Sequence, residues 1–140
     1  MISGFAIGQR LRCLWLGVSL VLLLTSSGCG QPKFYPTRGK VIIFAVGPLQ
    51  SGEIRFRPVS KPGLVASGQI QKDGTFSLAT PGHGDGVLEG DCQVAIMIEP
   101  KEGKRPIAER YADFSTSDLR FTIYPREENY FILDVKKPGK

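Results

Sequence analysis

The chain has 140 residues, 41% of them hydrophobic and 22% charged, which is room for one globular domain and excludes a second of full size or a disordered chain. Its formal net charge is +5 at pH 7, but bases and acids are interspersed, as at Arg126, Glu127 and Glu128. No basic stripe tracks a phosphate backbone, so nucleic acid is not an expected partner. The 17 glycines and 10 prolines scatter without a period and favour an all-β chain rich in turns.

Residues 1–12 carry Arg10 and Arg12 and no acid. An apolar run follows over 13–24 (CLWLGVSLVLLL), and Thr25, Ser26, Ser27 and Gly28 lead to Cys29. A positive start, a short apolar core and a small-residue close make a secretory signal. The run falls short of the roughly 20 apolar residues that span a bilayer. Loss of Arg10 and Arg12 with the leader takes the charge from +5 to +3.

The segment Leu24-Thr25-Ser26-Ser27-Gly28-Cys29 resembles the lipobox of bacterial lipoproteins. The resemblance implies cleavage between Gly28 and Cys29 and lipidation of Cys29, with the membrane as partner through the anchor. Ser27 and Gly28 match the pattern, whereas Ser26 stands where an aliphatic residue is usual. The plainer reading is an ordinary signal peptide cut nearby, with Cys29 an unmodified thiol. Two or more acyl chains, at ~0.8 kcal/mol per buried CH₂, would hold the chain stably. The parts are then a signal peptide over 1–28, a lipidated tether over 29–37, a domain over 38–136 and a tail over 137–140.

Within the domain, residues 40–46 (KVIIFAV) form the first expected strand. Residues 53–59 alternate, which puts Ile54 and Phe56 in the core and Glu53, Arg55 and Arg57 in solvent. Residues 64–71 and 75–80 flank Lys72-Asp73-Gly74 and are expected to pair as a hairpin, with Phe76 and Leu78 on one face. Residues 81–90 (PGHGDGVLEG) are expected to be loop. Over 91–99 the alternation places Cys92, Val94, Ile96 and Ile98 together. Residues 100–110 are charged and break the pattern. Residues 119–124 and 129–135 are expected to pair across 125–128. The count is seven strands, which predicts a seven-stranded antiparallel β-sandwich, immunoglobulin-like or transthyretin-like.

Gly39-Lys40-Val41, the stretch 47–58 (GPLQSGEIRFRP), Lys72-Asp73-Gly74-Thr75-Phe76 and the stretch 84–96 (GDGVLEGDCQVAI) resemble small lipoproteins of planctomycete-type bacteria. These carry a domain similar to the transthyretin-like regulatory module of carboxypeptidases. Arg110-Tyr111-Ala112-Asp113, Ser117-Asp118-Leu119 and Asn129-Tyr130-Phe131 follow the same order. The resemblance implies the fold and an envelope location, with the outer membrane favoured because Gly30 follows the cysteine where an inner-membrane signal has Asp. It carries over no catalytic residue, and fold likeness licenses no activity. Cys92 departs from it, since the family more often has Tyr there.

Chemistry-bearing residues are sparse. His83 is the only histidine, set between Gly82 and Gly84, with no second His or paired Cys to complete a transition-metal site beside Asp85 or Asp91. No Gly-x-Ser-x-Gly elbow accompanies it. Asp73, Asp85 and Asp91 offer hard oxygens but lack the array of a calcium loop, and turn chemistry explains them. Cys92 reads as a small buried hydrophobe. No cofactor and no metal are expected. The function read from the sequence is a noncatalytic, lipid-anchored structural or interaction module of the cell envelope. The alternative is envelope polysaccharide binding through tyrosines among Tyr35, Tyr111, Tyr124 and Tyr130, aided by Arg55 and Arg57.

Overall fold

The computed structural model describes residues 30–139, so the signal segment and Cys29 lie outside the described residues. The fold is all-β, two main sheets packed as a sandwich with a third, two-stranded sheet beside them. Strands are β1 (Phe34–Tyr35), β2 (Thr37–Ile43), β3 (Gly47–Pro48), β4 (Glu53–Pro58), β5 (Ala66–Gln69), β6 (Thr75–Ser77), β7 (Ala79–Thr80), β8 (Gly84–Asp85), β9 (Val87–Leu88), β10 (Gly90–Met97), β11 (Arg120–Ile123) and β12 (Asn129–Val135). One 3₁₀ turn, η1, covers Glu109–Ala112. The larger sheet runs β11-β10-β4-β5-β7-β8; in the smaller, β2 lies between β12 and the short strands β3 and β6.

Alternation builds the inner faces. In β4, Ile54 and Phe56 are buried while Glu53, Arg55 and Arg57 line the other face. β10 turns Cys92, Val94 and Ile96 to the same interior, as its period of two requires. From the opposite sheet come Val41 and Ile43 of β2 and Leu133 and Val135 of β12. Phe56 is fully buried and sits 6.0 to 6.4 Å, ring to ring, from Phe76, Phe121 and Phe131. Phe121 and Phe131 are 4.8 Å apart across the layers. Aromatic packing therefore ties the two sheets at their centre.

Gly39 permits this approach. Its register partners are Phe131 on one side and Phe76 on the other, and a Cβ there would lie 2.2 Å from the Phe131 carbonyl oxygen and 2.6 Å from the Phe76 ring. The glycine reads as a strand boundary in the sequence, yet it is the middle of β2.

Three pairings differ from the expected hairpins. The turn at 71–75 forms: Gly74 N–H donates to the Gln71 carbonyl at 2.8 Å, and Asp73 accepts from Thr75. Its second arm then divides, β6 joining β2 in the smaller sheet and β7 returning to β5. Next, β11 and β12 do not pair with each other. β11 lies on β10, and β12 runs parallel to β2 in the other sheet, so the sandwich is not wholly antiparallel. The reason is Asn129, fully buried, whose side chain accepts from Tyr124 N–H and donates to the Tyr124 carbonyl, both at 3.0 Å. Those bonds consume the groups that a hairpin ladder would use and turn the chain into an arch between layers. Finally, 81–90 is not loop throughout. Val87 and Leu88 are buried, and β9 pairs with β1.

That last pairing moves the start of the domain upstream of Arg38. Phe34 and Tyr35 are a strand, Lys33 accepts from Glu89 N–H at 3.2 Å, and Thr37 is buried with its hydroxyl on the Tyr35 carbonyl. The apolar pair Val87-Leu88 needs a cover, and Phe34-Tyr35 is that cover. The described residues thus hold twelve strands and not the expected seven, because 75–80 divides into β6 and β7 and the two-residue strands β1, β3, β8 and β9 fall where no strand is expected.

Beyond β10, the chain closes the open end of the core with Tyr111. This residue is 2% exposed, and its hydroxyl accepts from the Lys136 N–H at 3.2 Å and from Arg110 at 2.9 Å. No buried side-chain polar atom among the described residues lacks a partner. Replacing Gly39 by Ala should destabilise the domain by about 1–3 kcal/mol, the usual range for overpacking, whereas Gly63→Ala, which meets nothing within 4 Å, should leave the urea midpoint unchanged.

Candidate binding surface

The two ends of the sandwich differ. The chain enters beside β1, and the pairings place the 81–86 and 124–128 segments at that entry end. The opposite end gathers the segments 44–46, 50–52, 70–74 and 98–105. Here the β2–β3 turn holds Phe44 70% exposed and Val46 56% exposed. The turn is fixed by Val46 N–H on the Ile43 carbonyl at 3.0 Å and Phe44 N–H on the Val135 carbonyl at 2.8 Å. Ala45 takes a φ of 60°, a left-handed conformation that non-glycine residues visit rarely.

Beside this apolar tip lies a groove of about 460 Å³ lined by Val46, Pro48, Leu49, Lys101, Lys104 and Arg105, among others. Ser51, Ile98 and Glu99 join it to a second open cleft of about 620 Å³, which reaches Glu53, Gln69 and Met97. The cations come from a tight turn. Lys104 N–H donates to the Lys101 carbonyl at 2.9 Å, and Glu102 and Gly103 both have positive φ, 51° and 72°. That is the type I′ arrangement, and it sets Lys101 and Lys104 as bridge partners. The Glu102-Gly103 dipeptide is the sequence signal for it, in a stretch that otherwise reads only as charged. Arg105 is in an ion pair with Glu109 at 3.7 Å, and Glu53 pairs with Arg55 at 2.6 Å. Chemically the surface is an open, mixed-charge groove with an apolar side chain, Val46, at its edge.

The residues singled out in the sequence are dispersed. Gly28 and Cys29 lie outside the described residues. His83 is at the entry end, exposed, its ring stacked on Phe34 at 4.4 Å. Asp73 is at the opposite end, where its carboxylate accepts from the Thr75 hydroxyl and N–H; those two bonds hold its pKa below the ordinary value. Asp91 accepts from the Thr122 hydroxyl at 2.6 Å. Among the described residues no three His, Cys, Asp or Glu side chains stand as a metal-holding group.

Nor do the aromatic and basic residues considered for glycan binding share a platform. Tyr111 is core, and Tyr124 carries the Arg126 guanidinium over its ring at 4.7 Å. Arg57 is held by Gln93 at 2.6 Å and stacks on Phe114, while Arg55 is paired with Glu53. Tyr35 is half-buried at β1 and Tyr130 stands exposed on β12.

Cys92 is 1% exposed and belongs to the core. Burial, with a smaller contribution from the adjacent Asp91 charge, pushes its thiol up to about 12. Compared with protein-family models, with curated proteins and with solved structures, the chain matches none.

The Cys92 shift has a definite sign. The unfolded thiol ionises near 9.0 and the folded one near 12, so the stability it confers is whole below pH 9 and is lost as pH rises toward 12. Between pH 8 and pH 10 the wild type should lose about 1 kcal/mol more than Cys92→Ala, one pKa unit being 1.36 kcal/mol. Denaturant unfolding of both proteins at the two pH values measures the difference.

Proposed function

We propose that the chain is a noncatalytic, lipid-anchored protein of a bacterial cell envelope, its β-sandwich acting as a structural or interaction module. The observation that carries the reading is the order of parts. A positive, apolar and small-residue segment ends at Cys29, and backbone pairing begins with Lys33 and Phe34. Only residues 30–32 separate the proposed lipid site from the first bond of the domain. At ~3.3–3.6 Å per extended residue their reach is about 10 Å, which would hold the domain against its bilayer.

Among the described residues no helix is long and apolar enough to cross a membrane, and in this reading attachment comes from acyl chains on Cys29. The two-sheet sandwich is in keeping with the transthyretin-like module that the sequence resembles, and that resemblance favours the outer membrane. For the interaction role, the groove bordered by Lys101, Lys104 and Arg105 with Val46 at its lip is the docking surface. It lies at the end of the sandwich away from chain entry, which leaves it clear of the tether.

The proposal makes the mature chain begin at Cys29 with acyl groups attached. Intact-mass measurement on the membrane fraction should show the diacylglyceryl modification on wild type. Cys29→Ala should retain its leader or appear unmodified, with the domain's fold intact. A wild-type protein recovered soluble and unacylated would overturn the reading.

A further inference from the structure

We infer that two copies of this chain join edge to edge through β12, which pairs with its own copy antiparallel about Ile132. β12 is seven residues long and, among the described residues, pairs with β2 alone. Within an extended strand the N–H and C=O of one residue point to the same side. Asn129 N–H bonds to the Pro36 carbonyl, and the Val135 carbonyl accepts from Phe44 N–H, both 2.8 Å. The odd residues of β12 therefore turn toward β2. Tyr130, Ile132 and Asp134 turn the other way, to an edge that no strand among the described residues covers. An edge of this length left bare is a template for another chain.

The sequence around that edge specifies which chain. Residues 127–137 read EENYFILDVKK. In an antiparallel pairing centred on Ile132, Glu127 faces Lys137 of the copy, Glu128 faces Lys136, and Tyr130 faces Asp134. Every charged position thus meets its opposite or a hydroxyl donor, and the symmetry repeats each contact on the other side of the axis. Tyr130 and Ile132 are 57% and 58% exposed on the outer face; the pairing brings the two isoleucines together and flanks them with tyrosines. Opposite charges and aromatic or β-branched neighbours across strands are the contacts that stabilise a sheet.

The extent of the ladder is bounded by the fold. The Lys136 carbonyl is already occupied by Ala108 N–H at 3.0 Å, so backbone pairing covers Tyr130, Ile132 and Asp134, and the charged flanks meet through their long side chains. Glu128 pairs with Arg38 of its own chain at 2.6 Å and is exposed enough, at 42%, to take a second cation. The two-fold axis stands perpendicular to the sheet and reverses one copy along the strands, so the two chain-entry ends lie at opposite ends of the joined sheet and at the same level along the axis. Two anchors in one bilayer are compatible with that, although the inference rests on β12 and not on the anchor.

Disulfide trapping of the full chain in membranes tests it, with the unsubstituted chain as the blank for its native cysteines. Ile132→Cys should form a covalent dimer under mild oxidation, and Ser60→Cys, exposed in the loop after β4, should stay at the blank. Tyr130→Cys and Asp134→Cys should cross-link when co-expressed and much less when either is alone, which reads the register. Reversing Lys136 and Lys137 to Glu should lower the Ile132→Cys yield on the order of fivefold, given four exposed pairs of modest individual strength. Adding Glu127→Lys and Glu128→Lys should restore it. Trapping at Ile132 no greater than at Ser60, a mixed pair no better than its separate members, or a yield indifferent to charge reversal would each overturn the proposal.

Discussion

The structure depends on one close approach, that of the Phe76 ring and the Phe131 backbone carbonyl to the bare backbone of Gly39. Their strands flank β2, and both side chains enter the interior at the single β2 position that has no side chain of its own. The space so left admits Phe56 from the facing sheet, and Phe121 packs against both Phe56 and Phe131. A small sandwich buries a limited apolar area, so four rings joined through Phe56 contribute substantially against chain entropy.

That constraint explains which parts of the fold were legible in the sequence. Where a strand has one face in the core, as in β4 and β10, alternation names the buried residues directly: Ile54 and Phe56, Cys92, Val94 and Ile96. Local turn chemistry was equally readable at Asp73-Gly74. Sheet assignment was not, because it is decided by partners distant in sequence. The arms beyond Asp73-Gly74 divide between sheets, and residues 119–124 and 129–135 read as neighbours while packing as opposite layers. Phe34-Tyr35 looked like tether because two residues carry no period; only their cover of Val87 and Leu88 gives them a place. The candidate groove was illegible for a related reason. Its parts, the 44–46 turn and the 101–104 turn, are brought to one end by β2 and β10, and nothing local to either announces the other.

The polar residues that attract attention in the sequence are largely engaged with one another. Arg55 and Arg57 are held by Glu53 and Gln93, Asp73 and Asp113 by the turn residues Thr75 and Ser115, and Asn129 by Tyr124. Such contacts shape loops and strand ends, and each individual exposed pair adds little stability. By contrast, Phe44 and Val46 are exposed and Lys101 and Lys104 border an open groove. At that end the ordered turns hold apolar side chains out beside cations instead of folding them onto the core.

Asn129 links the interior to the remaining edge. Had 119–124 and 129–135 formed a hairpin, the last strand would have extended the larger sheet and left β2 bare, with Arg38 and Lys40 along it. The Asn129 arch sends β12 across to cover β2 instead, which moves the open edge outward by one strand. The edge that results is not cationic. It presents Tyr130, Ile132 and Asp134 between an acidic start and a basic finish. A cationic edge would repel its own copy, whereas a strand whose charge reverses end to end attracts it in the antiparallel sense and opposes it in the parallel one. The same buried amide that decides which sheet receives the final strand therefore also decides what kind of partner the finished sheet can accept.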